Sequence, residues 1–321
     1  MDRDLALGLV RVTEAAALNA AKYMGRGDKN AADQAAVDGM RRMFDFVDIK
    51  GTVVIGEGEL DEAPMLYIGE KVGTWSEGSP EVDIAVDPLD GTSFIAKGMP
   101  NALAVVAVAK SGCLLHAPDM YMEKIAVGPG ARGCIDLDAP FSENIKRVAE
   151  ALNKSVSNIT VVIQDRPRHA GLIEEARNVG ARIKLITDGD IEAALATGFE
   201  DTGVDIFAGI GGAPEGVIAA AALKCLGGDF QGRLYPMNEA EAERCRKMGI
   251  VDLKKAMTID EIVKGDDVYF AATGVSDGEL LKGVVYYQNA RAKTQSVVMR
   301  AKTGTVRFVN AVHNLEKSGR R

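Results

Sequence analysis

The sequence predicts an α/β fold, and three features support that prediction. From about residue 140 onward, segments with helical spacing alternate with short apolar runs typical of strands, such as residues 159–163 and 182–186. Glycines such as Gly180 and Gly227 follow the predicted helices, at positions where glycine commonly ends a helix. Hydrophobic residues make up 47% and charged residues 26% of the 321 residues, which is ordinary for a globular protein with one large domain or two moderate ones.

The first part of the chain mixes helices and strands in a less regular order. Asn30 is expected to cap a helix, and residues 103–109 and 113–116 are expected to form a hairpin. We predict two α/β halves, residues 1–138 and residues 139–321, that work as one unit. In α/β folds ligands bind at the carboxyl ends of strands. The strand ends are therefore where functional side chains are expected.

Composition excludes several classes of function. The net charge of -8 argues against a nucleic-acid or membrane partner, and the longest apolar run, residues 102–109, is too short to cross a bilayer. The 4 cysteines form no CxxC pair and there are only 3 histidines, so neither a zinc site nor a disulfide scaffold is expected. The N-terminus lacks the basic and apolar regions of a signal peptide, and we expect a cytoplasmic protein.

The strongest local signal is a predicted strand and turn at residues 83–93. The strand delivers Asp87 to its end, and a proline and a glycine then let the chain turn so that Asp87 and Asp90 approach one point. Hard cations such as Mg²⁺ and Mn²⁺ prefer such oxygen ligands. The backbone N–H groups of Gly91 and Thr92 are candidates for holding a phosphate, and the Thr92 hydroxyl for orienting a water. The alternative is an Asx turn, in which the carboxylates accept only backbone N–H groups.

Other acidic residues of the first half are weaker candidates for metal binding. Glu57 and Asp61 lie in a cluster of acids that follows a predicted strand, and such a cluster is equally typical of a solvated loop. Asp33 comes three residues after Asn30, where an acid normally supports a helix N-terminus. Lys29 is a candidate for offsetting phosphoryl charge, or else an exposed loop lysine.

Three later segments carry groups that bind anions or hydroxyls. A glycine-rich segment before Glu215 joins a strand to a helix whose first N–H groups form an anion site, and Glu215 either binds a metal or complements the helix dipole. Arg166 and Arg168 flank a proline and offer two guanidiniums for phosphate, the alternative being an exposed basic loop. Asp188 and Asp190 are candidates for sugar hydroxyls, or they cap the next helix.

Together these motifs resemble those of class II fructose-1,6-bisphosphatases of the bacterial glycerol-regulon type. The resemblance covers nearly the whole chain. Its most specific stretches include Met24-Gly25-Arg26-Gly27-Asp28-Lys29, Ile55-Gly56-Glu57-Gly58-Glu59, Ala117-Pro118-Asp119-Met120-Tyr121-Met122 and Gly211-Gly212-Ala213-Pro214-Glu215-Gly216. One position departs from the family pattern, because Asp90 stands where class II enzymes usually carry Glu.

The resemblance implies the lithium-sensitive phosphatase fold, layered α-β-α-β-α and shared with inositol monophosphatases. It implies that two or more divalent cations, Mn²⁺ or Mg²⁺, are held mainly by the N-terminal half, at Asp33, Glu57, Asp87, Asp90 and Glu215. It implies that substrate contacts come mainly from the C-terminal half, at Asp90, Gly91, Thr92, Tyr121, Arg166, Pro167, Arg168, Asp188, Gly189, Asp190 and Gly212.

The implied reaction is hydrolysis of the 1-phosphate of fructose-1,6-bisphosphate to give fructose 6-phosphate, a step of gluconeogenesis. Thr92 is expected to orient the water, Asp61 or Glu59 to accept a proton, and Lys29 to offset phosphoryl charge. Sedoheptulose-1,7-bisphosphate and inositol phosphates are the alternative substrates. A non-catalytic sugar-phosphate sensor is the alternative from another class of protein. We also expect a homo-oligomer.

Overall fold

A computed structural model describes residues 5–58, 65–247, 250 and 252–318. The helices of this part of the chain are α1 Leu5–Ala20, α2 Lys29–Phe44, α3 Thr92–Lys97, α4 Phe141–Ala151, α5 Ala170–Asn178, α6 Asp190–Ala196, α7 Ala213–Leu226, α8 Glu239–Lys247, α9 Ile259–Ile262 and α10 Leu315–Ser318. Its strands are β1 Lys50–Ile55, β2 Lys71–Val72, β3 Glu81–Asp90, β4 Leu103–Lys110, β5 Tyr121–Val127, β6 Thr160–Gln164, β7 Arg182–Ile186, β8 Ile206–Gly212, β9 Asp229–Tyr235, β10 Met257–Thr258, β11 Tyr269–Gly274, β12 Val285–Tyr287, β13 Arg291–Arg300 and β14 Thr305–Asn314. None of the described helices has the length and apolar character to span a membrane.

The chain divides into two compact units, Met1–Ser111 together with Asp267–Arg321, and Gly112–Asp266. These bounds differ from the halves predicted on either side of residue 138. The difference arises because β11 returns to the first sheet and pairs antiparallel with β4. Local periodicity in the sequence carries no information about which distant strand a segment will pair with.

The first unit is built on a mixed sheet with the strand order β12-β13-β11-β4-β3-β1-β2, and β14 pairs with β13. Strands β1 and β3 run parallel, which places the residues after β1 at the same edge as the end of β3. Helices α1 and α2 contribute Val12 and Met40 to a core that also contains Ile84 and Val106. Alternate residues of β3 and β4 thus point toward the helices, and the residues between them are also mostly buried, so these strands are covered on both faces.

The second unit has its own mixed sheet, in the order β10-β9-β5-β8-β6-β7. Strands β7, β6 and β8 run parallel to one another, so their carboxyl ends lie at one edge. Helices α4 and α5 bury Ile145 and Ile173 in a core with Val161 and Ile206. Most residues of α7 are buried, as expected for a helix that is apolar around its whole circumference.

These two sheets with their helices confirm the α/β class. Two local predictions are wrong. Residues 113–116 form no hairpin with β4, because β3 and β11 already occupy both edges of that strand, and Leu114 instead makes a single bridge to Val263. The cap of α2 is Asp28 rather than Asn30, since Asp28 Oδ1 accepts the Ala31 N–H at 2.9 Å.

Candidate active site

The end of β3 forms the turn that the sequence predicts to bind a metal. The strand runs through Asp90, with a register shift against β4 between Asp87 and Asp90. Gly91 follows with a φ of 84°, a conformation that favours glycine, and Thr92 begins α3. Asp87 Oδ1 accepts the Leu89 N–H at 3.0 Å, and Asp90 is buried. The Asx interaction is therefore present at one oxygen of Asp87.

Asp33 and Glu57 form the other acidic group of the first unit. Asp33 lies on α2 and Glu57 follows β1, and both are half-buried. Burial, followed by the negative charge of Asp33, raises the pKa of Glu57 to about 8, and burial also raises the pKa of Asp33. A cation beside these carboxyl groups would favour their charged forms. Lys29 is the exposed first residue of α2, whereas Asp61 and Glu59 lie outside the described residues.

In the second unit, Glu215 occupies the junction between β8 and α7. Gly212 ends the strand and precedes the helix, and a Cβ atom on Gly212 would lie only 1.8 Å from Glu215 Oε2. The carboxylate therefore folds back over Gly212, and a side chain at that position would displace it. Burial raises the pKa of Glu215. Among the described residues, Glu215 Oε2 has no hydrogen-bond partner, although a buried carboxylate oxygen normally has one.

Arg168 is held by its neighbours and keeps donors for a ligand. Its Nε donates to the Ile210 carbonyl at 2.9 Å and its Nη2 to Gln164 Oε1 at 3.1 Å. The guanidinium carbon lies 4.9 Å from the centroid of the Tyr121 ring, and Tyr121 pairs with Gly212 between β5 and β8. A guanidinium has about five N–H groups, so the contacts within the described chain leave most of them for a phosphate.

Arg166 lies at the same edge as Arg168, after β6, and is directed toward the end of β7. Its Nη2 donates to the Thr187 carbonyl at 2.7 Å. Pro167 separates the two arginines and begins a short 3-10 turn that contains Arg168. The predicted arginine pair is thus present as two exposed guanidiniums on a turn that the backbone fixes.

The segment after β7 presents Asp188, Gly189 and Asp190. Gly189 has a φ of 85° and precedes α6, and Asp188 Oδ1 accepts the Gly189 N–H at 3.1 Å. Asp190 is buried, and both of its oxygens are engaged. Oδ2 lies 2.6 Å from Lys124 Nζ, and Oδ1 accepts from Gln164 Nε2 at 2.5 Å. Asp190 therefore links β5 to β6 whatever else it contacts.

The sequence reasoning missed Lys124, Gln164 and His169. His169 is buried, its Nδ1 lies 2.8 Å from the Gln164 carbonyl, and its Nε2 accepts the Ile210 N–H at 2.8 Å. Nδ1 must therefore carry the proton. The pKa of His169 is lowered, mainly by burial. The sequence did contain a signal for Lys124. Side chains two residues apart in a strand share a face, so Lys124 lies on the same inward face of β5 as Met122.

The model of the family described as "Bacterial fructose-1,6-bisphosphatase, glpX-encoded" matches residues 3–313 of the chain. The chain belongs to this family. It is 48% identical to fructose-1,6-bisphosphatase 1 class 2 of Escherichia coli K12, over 99% of this chain and 97% of that protein. The class 2 fructose-1,6-bisphosphatase of Shigella flexneri gives the same identity and coverage.

Solved structures give weaker similarity than the bacterial fructose-1,6-bisphosphatases do. The extragenic suppressor protein suhB of Bartonella henselae is 13% identical, covers 62% of this chain and 74% of that chain, and has a TM-score of 0.35. An IMPase of Thermotoga maritima is also 13% identical, covers 61% and 77% of the two chains, and has a TM-score of 0.31.

The candidate residues of this fructose-1,6-bisphosphatase family member have the chemistry of ligands for a hard divalent cation. All five are carboxylates, the donor type that Mg²⁺ and Mn²⁺ prefer. Both the raised pKa of Glu57 beside Asp33 and the buried Glu215 oxygen that has no partner among the described residues are compatible with cation binding. In the described part of the chain, no three Asp, Glu, His or Cys side chains are grouped closely enough to hold a metal ion. The five-residue ligand set therefore stays a prediction.

Proposed function

We propose that this protein hydrolyses the 1-phosphate of fructose-1,6-bisphosphate to give fructose 6-phosphate and phosphate, as a phosphoric monoester hydrolase of gluconeogenesis. Membership of the bacterial fructose-1,6-bisphosphatase family over residues 3–313 supports this proposal. The observation in the structure that carries it is at Gly212. There Glu215, whose buried carboxylate oxygen has no hydrogen-bond partner in the described part of the chain, shares one strand end with Tyr121 and with Arg168, which lies over that ring.

The charges of the substrate and of the protein indicate that different residues bind the two phosphates. A sugar bisphosphate carries two anionic groups, and the chain has a net charge of -8, so each phosphate needs its own cationic partner. For the phosphate that stays on the sugar, the partners are Arg166 and Arg168, whose guanidiniums lie on one turn. Arginine is suited to this role because its planar fork can bind two phosphate oxygens at once. The Tyr121 ring packs against the Arg168 guanidinium and helps to fix its position.

At the reacting phosphate, the proposed holders of Mn²⁺ or Mg²⁺ are Asp33, Glu57, Asp87, Asp90 and Glu215. Once bound there, such ions supply a water of lowered pKa and neutralise charge on the phosphoryl group.

The other residues proposed for the reacting phosphate act through hydrogen bonds, charge and proton transfer. The Thr92 hydroxyl orients the attacking water, and the Gly91 N–H donates to a phosphoryl oxygen. Asp61 or Glu59 accepts the proton, and Lys29 offsets phosphoryl charge.

The sugar is proposed to lie between the two phosphate groups, with its hydroxyls against Asp188, Gly189 and Asp190. Because both Asp190 oxygens already accept hydrogen bonds, a sugar hydroxyl would share an oxygen that the protein has fixed. The backbone of Gly189, which precedes α6, and the backbone of Gly212 complete this set of proposed contacts. A cytoplasmic location and a homo-oligomeric state belong to the same proposal, and four free cysteines are compatible with a reducing compartment.

Phosphate release tests the proposed function directly. The purified protein is assayed with Mn²⁺ or Mg²⁺ on fructose-1,6-bisphosphate, sedoheptulose-1,7-bisphosphate and inositol phosphates, and again after exhaustive dialysis against EDTA. We expect the highest kcat/KM on fructose-1,6-bisphosphate and no turnover without metal. Tight binding of the bisphosphate in calorimetry with no phosphate release would instead identify a sensor. Preference for another substrate of the panel, or full turnover in EDTA, would contradict the proposal.

A further inference from the structure

Lys124 is a lysine in the interior of the second unit. Its side chain is only 1% exposed, and it lies on the inward face of β5. Placing an ammonium group out of contact with water costs several kcal/mol unless its donors are satisfied. Nζ donates to Asp190 Oδ2 at 2.6 Å and to the Gly212 carbonyl at 2.9 Å. The lysine therefore joins two segments that the proposed function uses, the start of α6 and the end of β8.

The glycines around Lys124 make room for this contact. A Cβ atom on Gly211 would lie 1.9 Å from Asp190 Oδ2 and 3.0 Å from Lys124 Nζ, and one on Gly216 would lie 3.3 Å from Lys124 Cδ. Two glycines of the glycine-rich segment, Gly211 at the end of β8 and Gly216 in the first turn of α7, are therefore explained by a buried ion pair rather than by a phosphate. The structure gives this segment a second role that its sequence does not reveal.

Lys124 also acts on Glu215. The Gly212 carbonyl that it holds is three residues before Glu215, and the Glu215 carboxylate folds back over that same glycine. The ammonium forms its ion pair with Asp190. Glu215 Oε2, which has no hydrogen-bond partner among the described residues, is left for another cation.

We propose that Lys124 is a positioning residue, which fixes Asp190 and the Gly212–Glu215 turn relative to each other so that Glu215 is presented to a divalent cation and Asp190 to the sugar. This inference rests on the proposed function. It assigns Lys124 no contact with the substrate or with the reacting atoms.

The test replaces Lys124 by methionine, which has a similar length and no charge, and measures Mn²⁺ binding by calorimetry in the absence of substrate. Because charge-assisted hydrogen bonds are lost, we expect the Kd for Mn²⁺ and the KM for fructose-1,6-bisphosphate each to rise by about tenfold or more. If Lys124 were only a neighbouring positive charge, its removal would leave Mn²⁺ binding unchanged or make it tighter. That result, in a variant with the circular dichroism spectrum of the wild type, would overturn the proposal.

Lys224→Met is the matched control. Lys224 lies in the same unit, and its Nζ likewise donates to one carboxylate, Asp260 Oδ1 at 2.6 Å, and to one backbone carbonyl, that of Val263 at 2.5 Å. None of these partners belongs to the proposed site. We expect this variant to change the Kd for Mn²⁺ and the KM by no more than about twofold. An equal loss in both variants would attribute the effect to stability and overturn the proposal.

A second variant covers the case in which Lys124→Met fails to fold because it leaves Asp190 charged and buried. The double variant Lys124→Met, Asp190→Asn removes both charges, a replacement that buried ion pairs often tolerate. Asp190 is not among the candidate metal ligands, so the Mn²⁺ readout in this variant reports on the Gly212–Glu215 turn. We expect the same rise in Kd, and wild-type affinity for Mn²⁺ would refute the role of Lys124. If the wild type released no phosphate from fructose-1,6-bisphosphate, the proposed function alone would be refuted. The calorimetry would still test the role of Lys124 in Mn²⁺ binding.

Discussion

Replacing Arg168 by alanine tests whether the phosphate that is not cleaved is bound by residues other than those that bind the reacting phosphate. The guanidinium donates to the Ile210 carbonyl and to Gln164, and it stacks on Tyr121. These contacts orient it before any ligand arrives, so little side-chain entropy is left to lose on binding. The substitution removes a charged donor that we place on the phosphate that is not cleaved.

The magnitude follows from the type of contact. A hydrogen bond to a charged group is worth about 1.5–3 kcal/mol, which corresponds to about a ten- to hundredfold change in affinity. The distal phosphate is bound equally in the ground state and the transition state, so its loss should raise KM and leave kcat nearly unchanged. Because Arg168 is exposed and its stacking on Tyr121 contributes about 0.5–1 kcal/mol, the free energy of unfolding should fall only slightly.

The assay compares initial rates on fructose-1,6-bisphosphate and on fructose 1-phosphate, which lacks the distal phosphate. We expect KM to rise for the bisphosphate and to change little for the monophosphate. Arg182→Ala is the control, because Arg182 is also exposed and donates to a backbone carbonyl, that of Asn158 at 2.6 Å, at the opposite end of β7. Equal losses on both substrates, or a fall in kcat with KM unchanged, would refute the assignment of Arg168.

Three further predictions concern the carboxylates and the buried histidine. Burial and Asp33 raise the pKa of Glu57 from 4.5 to about 8, so the folded metal-free protein holds a proton that the unfolded chain releases, and stability should fall as pH rises between these values. Mn²⁺ should therefore raise Tm more at pH 8 than at pH 5.5. A rise in Tm that is the same at both pH values would contradict this, and so would an unchanged pH dependence of that rise in Glu57→Gln. Asp87→Asn should keep the turn, because an amide oxygen can still accept the Leu89 N–H, yet lower kcat by several orders of magnitude through loss of a cation ligand; a folded variant with wild-type kcat would leave Asp87 a structural role only. His169→Phe should lower the free energy of unfolding in urea by about 1–3 kcal/mol, since the Ile210 N–H loses its acceptor, whereas the Gln164 carbonyl keeps the Arg166 N–H as a donor. An unchanged unfolding midpoint would show that the Ile210 N–H finds another partner.

Much of the candidate site could be predicted from the sequence, because its residues lie at places that local patterns reveal. Strand β7 was predicted with the bounds that the structure has. The strand and turn that carry Asp87 and Asp90, and the turn that carries Arg166 and Arg168, follow from alternation, proline and glycine within a few residues. Such signals depend on neighbouring residues alone. For the same reason the sequence reasoning found these side chains without knowing which of them share a unit.

The tertiary structure decided what no local pattern could. Residues 267–321 rejoin the first sheet through β11, and Lys124 meets Asp190 across 66 positions of the chain. The period of two residues indicates that Lys124 shares the inward face of β5 with Met122, but lysine is rarely buried without a partner, and the sequence does not show which acceptors it meets. Whether a charged side chain can be buried depends on the free energy of its contacts with partners distant in sequence. Those partners are brought to it by the pairing of β5 with β8 and by the packing of α6, and neither is determined by the residues next to Lys124.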